Sequence, residues 1–167
     1  MLLDTARLLV FPALMAFAAS SDLFTMTISN RLTLALVAAF GALAVMTGMP
    51  PQTMLEHASA GLLVLVVGFA LFAFGWIGGG DAKLAAATAL WFGWPHLFEY
   101  VLYASLLGGA LTLGLLQFRK YVLPASIATT QWVERLHQSG GGVPYGIALA
   151  ASALLVYPST TWMAVAP

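Results

Sequence analysis

The sequence predicts an all-α integral membrane protein of six transmembrane helices, and three observations carry that prediction. The chain is 61% hydrophobic and 7% charged, with a mean hydropathy of +0.94, whereas soluble domains are about 25% charged. Long apolar runs alternate with short links that hold most of the charges, glycines and prolines. The basic residues also fall on alternate links, the distribution expected of a chain that crosses a membrane repeatedly. What remains is too small for a soluble domain, so residues 1–167 read as one polytopic domain in a lipid bilayer. Zero formal net charge argues against a nucleic-acid partner. The absence of cysteine excludes disulfides, thiolate zinc sites and a cysteine nucleophile.

The first apolar run, Leu8 to Ser21, holds no charge and ends at Asp22. Asp4 and Arg7, three apart, can pair on one helix face near the interface. Ala16-Phe17-Ala18 resembles a signal-peptidase site, but the region before the run is electrically neutral rather than basic. A polar link from Asp22 to Arg31 leads to a second span, Leu32 to Met49, closed by Gly48 and Pro50-Pro51. A short link with Glu56 and His57 precedes the third span, Ala58 to Ile77. Gly61, Gly68 and Gly75 recur there every seven residues, and Gly75 with Gly79 forms a small-xxx-small pair, spacings that let helix backbones approach closely in lipid.

After Gly78-Gly79-Gly80, a short fourth span, Leu84 to Trp94, is expected to stop at Pro95. Its alanines, Ala85 to Ala87 and Ala89, suit a helix surrounded by other helices. The fifth span, Tyr100 to Phe118, is closed by Arg119-Lys120. In the loop 121–142, Ala128, Trp132 and Leu136 share one side of a short interfacial helix. The sixth span starts near Val143-Pro144-Tyr145-Gly146 and ends near Tyr157-Pro158.

Placing residues 22–31 in the cytoplasm puts Arg31, Lys83, Arg119, Lys120 and Arg135 on that side and leaves only Arg7 outside. That bias predicts both termini on the outer side. Asp22, ending the first helix, and Asp81, starting the fourth, then share the cytoplasmic face. Asp4, Glu56 and Glu99 fall on the other side, and Glu134 lies in the polar loop beside Arg135. Two facing carboxylates sharing a proton can activate a water between them. The helix ends differ electrically, favouring an anion on Asp81 more than on Asp22. Gly78, Gly79 and Gly80 would let a substrate lie against the main chain. Irregular backbone at membrane depth is tolerated where it lines a water-filled cavity.

Each of these residues also has a plainer reading. Asp81 could simply cap the fourth helix, and Asp22 could be an interface residue. Lys83 suits a snorkelling anchor as well as a partner for an acid. His57, His96 and His137 have no metal-ligand spacing, so no metal or cofactor is expected. Two carboxylates in a membrane bundle also suit a small proton or cation transporter, or a non-catalytic subunit of an assembly machine.

The pattern Gly78-Gly79-Gly80-Asp81, followed by Ala82-Lys83-Leu84, resembles the GxGD signature of the type IV prepilin peptidase family. Asp22 followed by Ile28-Ser29-Asn30 is similar to that family's Asp, five residues, then Ile-Pro-Asn, with Ser29 in place of the proline. Val143-Pro144-Tyr145-Gly146 is similar to its closing motif before the last helix. The resemblance implies a GxGD-type aspartyl protease bundle in the bacterial cytoplasmic (inner) membrane, with Asp22 and Asp81 as the catalytic pair. Asn30, Lys83 and the three glycines would lie near the substrate. It implies cleavage of the basic leader of prepilins or pseudopilins, just after a glycine, at the cytoplasmic face. Longer members carry zinc-binding cysteines and methylate the new N-terminus. This chain has no cysteine and resembles the short form serving tight-adherence (Flp-type) pili, so peptidase activity without N-methyltransferase activity is expected. The loop after Asp22 has Phe24, Met26 and Thr27 where the family often has arginines.

Overall fold

A computed structural model describes residues 1–124, 130–138 and 140–163. These form helices joined by turns, with no strand among the described residues. In order they are α1 (Leu2–Thr25), α2 (Asn30–Met46), α3 (Pro51–Ala73), α4 (Gly79–Phe118), α5 (Gln131–His137) and α6 (Tyr145–Val156), then a 3₁₀ turn at Tyr157–Ser159. By length and composition α1, α3 and α4 can each cross a membrane, while α2 and the stretch Tyr145–Ser159 are shorter apolar helices. The apolar helices make this a membrane protein.

Several helices begin or end elsewhere than hydropathy predicts, and proline or glycine chemistry accounts for the larger shifts. α1 continues past Asp22 to Thr25 and closes on Met26, whose left-handed backbone (φ 55) lets its N–H donate to the Asp22 carbonyl. α2 starts at Asn30 because the Ser29 hydroxyl caps it, accepting from the Leu32 N–H. α3 starts at Pro51 rather than Ala58: proline at the first helical position lacks only an N–H that would have no partner. Glu56 and His57 are therefore helical, not in a link. His57 is buried, with Nδ1 2.8 Å from the Leu90 carbonyl and its ring stacked on Phe40.

The expected glycine heptad holds for two of its three members. A Cβ on Gly61 would lie 3.0 Å from the Leu90 Cβ, and one on Gly68 would lie 3.1 Å from the Ala82 Cβ, so both mark close contact of α3 with α4. Gly75 instead ends α3. It is left-handed (φ 73), its N–H donates to the Phe72 carbonyl, and Trp76 N–H donates to Leu71. The pair Gly75–Gly79 therefore spans the end of one helix and the start of the next, and does not form a helix-packing face.

Straight, the 40 residues of α4 would extend about 60 Å, twice a hydrocarbon core of about 30 Å. Gly93 breaks it with φ 60 and ψ −170, a conformation closed to other residues. Both ends of α4 return to one loop: Asp81 shares a cavity with Gly142, and Arg119 Nη2 donates to the Gly142 carbonyl. α4 is thus a hairpin with arms 79–92 and 94–118. The expected stop at Pro95 falls instead at Gly93, and Pro95 sits at the start of the second arm, where its missing N–H costs nothing.

The bundle closes around the first arm, whose Ala86, Ala87 and Ala89 are buried as a helix among helices requires. α1 and α6 run antiparallel, tied at one end by Tyr157 Oη donating to the Arg7 carbonyl and Arg7 Nη2 donating to Thr161. α2 runs alongside the first arm, held by the Trp91 Nε1 bond to the Leu36 carbonyl (3.0 Å). Phe11, Phe40, Trp91, Tyr157 and Trp162 form a buried aromatic core. Of the expected interfacial helix, α5 carries Trp132 and Leu136, with Leu136 buried and Trp132 edge-on to Phe24. Ala128 lies outside the described residues.

Candidate active site

Asp22 comes from the last turn of α1 and Asp81 from the first turn of α4. Both line one cavity of about 760 Å³, walled by the turn 75–80, residues 26–28, the loop 141–145 and the end of α5. Gly78, not Asp81, is the N-cap of α4. Asp81 is the third helical residue, and its carboxylate turns back onto the turn: a Cβ on Gly78 would lie 2.7 Å from Asp81 Oδ2.

Asp22 is buried, at 5% exposure, and its Oδ2 accepts a 2.7 Å hydrogen bond from the Gly146 N–H. That donor is one of the N–H groups at the start of α6 that have no partner within the helix. Asp22 therefore lies between the C-terminal end of α1 and the N-terminal end of α6, a neighbour the helix-end contrast did not include. A Cβ at position 146 would come within 2.8 Å of Asp22 Oδ2 and 2.9 Å of Ile28 Cδ1. Ile28 also abuts Gly80, where an added Cβ would be 3.1 Å from its own Cβ. One isoleucine thus separates the start of α4 from the start of α6, between two positions that lack side chains.

The loop and α5 are held over this end by two arginines. Arg135 Nη1 donates to the Phe24 carbonyl, and Arg119 donates through Nε to Leu136 and through Nη2 to Gly142, each at 2.8 Å. Arg135 and Gln138 line the cavity, and no residue pattern pointed to either. Tyr145 and Gly146 lie in the closing motif, but a backbone donor has no side-chain signature, so the bond from Gly146 to Asp22 was not legible.

Of the other residues singled out in the sequence, Gly78, Gly79 and Gly80 line the cavity. Asn30 and Lys83 do not. Lys83 is two residues beyond Asp81, about 200° around the helix, and its Nζ donates to Asn30 Oδ1 (2.9 Å) at a separate groove. Among the described residues, no three histidine or acidic side chains come together as metal ligands.

Two carboxylates on one cavity are groups that can serve as a general acid and a general base. Comparison with curated proteins gives no match, and comparison with solved structures gives none. A model of the type IV leader peptidase family matches residues 9–113, more than half of the chain, a range that includes both aspartates. The protein belongs to the type IV leader peptidase family and is a peptidase of prepilin leaders.

Proposed function

We propose that the protein is an aspartic endopeptidase in which Asp22 and Asp81 together activate the attacking water. The observation that carries this reading is their convergence, from α1 and α4, on one cavity. One carboxylate takes a proton from the water as it attacks the scissile carbonyl, while the other, protonated, stabilises the developing oxyanion. The departing amine then receives a proton as the tetrahedral intermediate collapses. The main chain of Gly78 to Gly80 offers the substrate an edge free of side chains.

The scissile bond follows the leader glycine, and the substrates are Flp-type prepilins or pseudopilins. The chain acts as one domain with six membrane passes, the α4 hairpin supplying two of them. The cavity faces the cytoplasm and both termini face the periplasm, in the bacterial inner membrane. Charge on the links supports that orientation. The lack of cysteine fits a form without methyltransferase activity.

The test is co-expression with a candidate Flp-type prepilin, read by the gel shift of leader removal. Asp22→Asn and Asp81→Asn should each abolish the shift while the protein remains in the membrane fraction. Cleavage at the wild-type rate by either variant would exclude the two-aspartate mechanism.

A further inference from the structure

A second cavity, of about 560 Å³, shares no lining residue with the first. Three helices build it, each with residues at i, i+3, i+4 and i+7: α2 from Asn30 to Val37, α3 from Ala58 to Leu65, and the first arm of α4 from Lys83 to Leu90. The groove has a small-residue floor of buried Gly61, Ala86 and Ala87, and exposed leucines and valine along its rims. Its polar end is the Lys83–Asn30 hydrogen bond. Among the described residues no carboxylate pairs with Lys83, so the groove ends in a cation whose bonded partner is neutral.

We propose that this groove binds a phospholipid with a net-negative headgroup, one acyl chain lying along the floor and the phosphate at Lys83. Charge is the first argument. An ammonium has three donors, and only one is engaged by Asn30. The exposed Arg31 adjoins Asn30 and adds a second cation at this level.

Length is the second argument. Two helical turns rise about 10 Å, which fits a chain within one leaflet of a core about 30 Å thick. A substrate's membrane-spanning helix needs the full thickness, so the groove suits an acyl chain better than a helix. A lipid seated there would place its headgroup directly behind the helix turn that carries Asp81.

Native mass spectrometry of the full-length protein, titrated with phosphatidylglycerol and with phosphatidylcholine of the same chain length, tests this. The wild type should retain phosphatidylglycerol about fivefold better per cation engaged at the surface. Lys83→Gln should lower that preference about fivefold, the share of one cation. Ala58→Phe, and independently Val37→Phe, should weaken both by filling the groove from opposite walls. Equal retention by the wild type, or an unchanged preference in Lys83→Gln, would overturn the proposal. So would a photo-crosslinker at Leu62 that captures a co-expressed prepilin instead of lipid.

Discussion

The Gly146 N–H donates to Asp22 Oδ2 across 2.7 Å, joining the first turn of α6 to the last turn of α1. The bond orients a buried carboxylate with a main-chain donor, so the donor's position depends on how α6 is placed and not on a rotamer of its own. It also requires a glycine, because a Cβ at 146 would lie 2.8 Å from that oxygen.

Gly146→Ala should therefore push Asp22 or Ile28 aside. A displacement near 1 Å at a reacting group costs on the order of 10²-fold in rate, and that is the loss expected in prepilin cleavage. Gly109→Ala is the control, since a Cβ there meets nothing within 4 Å, and its activity should match the wild type. Full activity in Gly146→Ala would show that the contact does not position Asp22 for the reaction.

Under the proposed mechanism the two aspartates act as a unit. Groups of that kind are strongly non-additive. The double variant Asp22→Asn/Asp81→Asn should cleave no more slowly than either single variant in a timed single-turnover assay. A double variant slower by the product of the single losses would indicate independent roles.

Arg119 ties α5 and the loop before α6 to the end of α4. Hydrogen bonds from a charged donor contribute about 1.5–3 kcal/mol each, and Arg119→Gln removes two of them. Amide exchange in residues 131–138 should accelerate at least tenfold, measured by mass spectrometry in detergent, while α1 and α3 are unchanged. Unchanged exchange would mean that α5 is held by Val133, Leu136, Trp132 and the Arg135 bond to the Phe24 carbonyl.

The hairpin in α4 depends on Gly93, and His57 occupies the space beside it. Gly93→Ala places a side chain at φ 60, with its Cβ 2.9 Å from His57 Nε2. That backbone conformation alone costs a residue with a Cβ about 1–3 kcal/mol, so unfolding in detergent should be easier by at least about 1 kcal/mol. In a His57→Ala background the clash is gone while the backbone strain stays, so the same substitution should cost less there. An equal cost in both backgrounds would assign the whole effect to the backbone.

Much of the bundle was legible because its signals are local. Apolar runs, Gly48, the Pro50-Pro51 turn and the cation-bearing links mark helices whatever their neighbours do. Asp22 and Asp81 stood out because an ionisable group in so apolar a chain is costly and rare. The helix starts at Pro51 and after Gly93 were misplaced because hydropathy does not register which residues tolerate a first turn or a left-handed break. Lys83 shows the limit clearly: its proximity to Asp81 along the chain suggested a shared site, yet the phase of α4 turns it to the opposite face.

The sequence by itself determined that this is a helical membrane protein with few carboxylates, two of them at helix ends that the charge pattern puts on one face. Side-chain chemistry and local period are properties of short stretches, so they can be read one stretch at a time. Only the tertiary structure decided that α4 folds back at Gly93, that Ile28 wedges between Gly80 and Gly146, and that a backbone N–H from α6 meets Asp22. Those contacts arise where helices distant in sequence pack, and a main-chain donor or a missing Cβ has no meaning until its neighbour is in place.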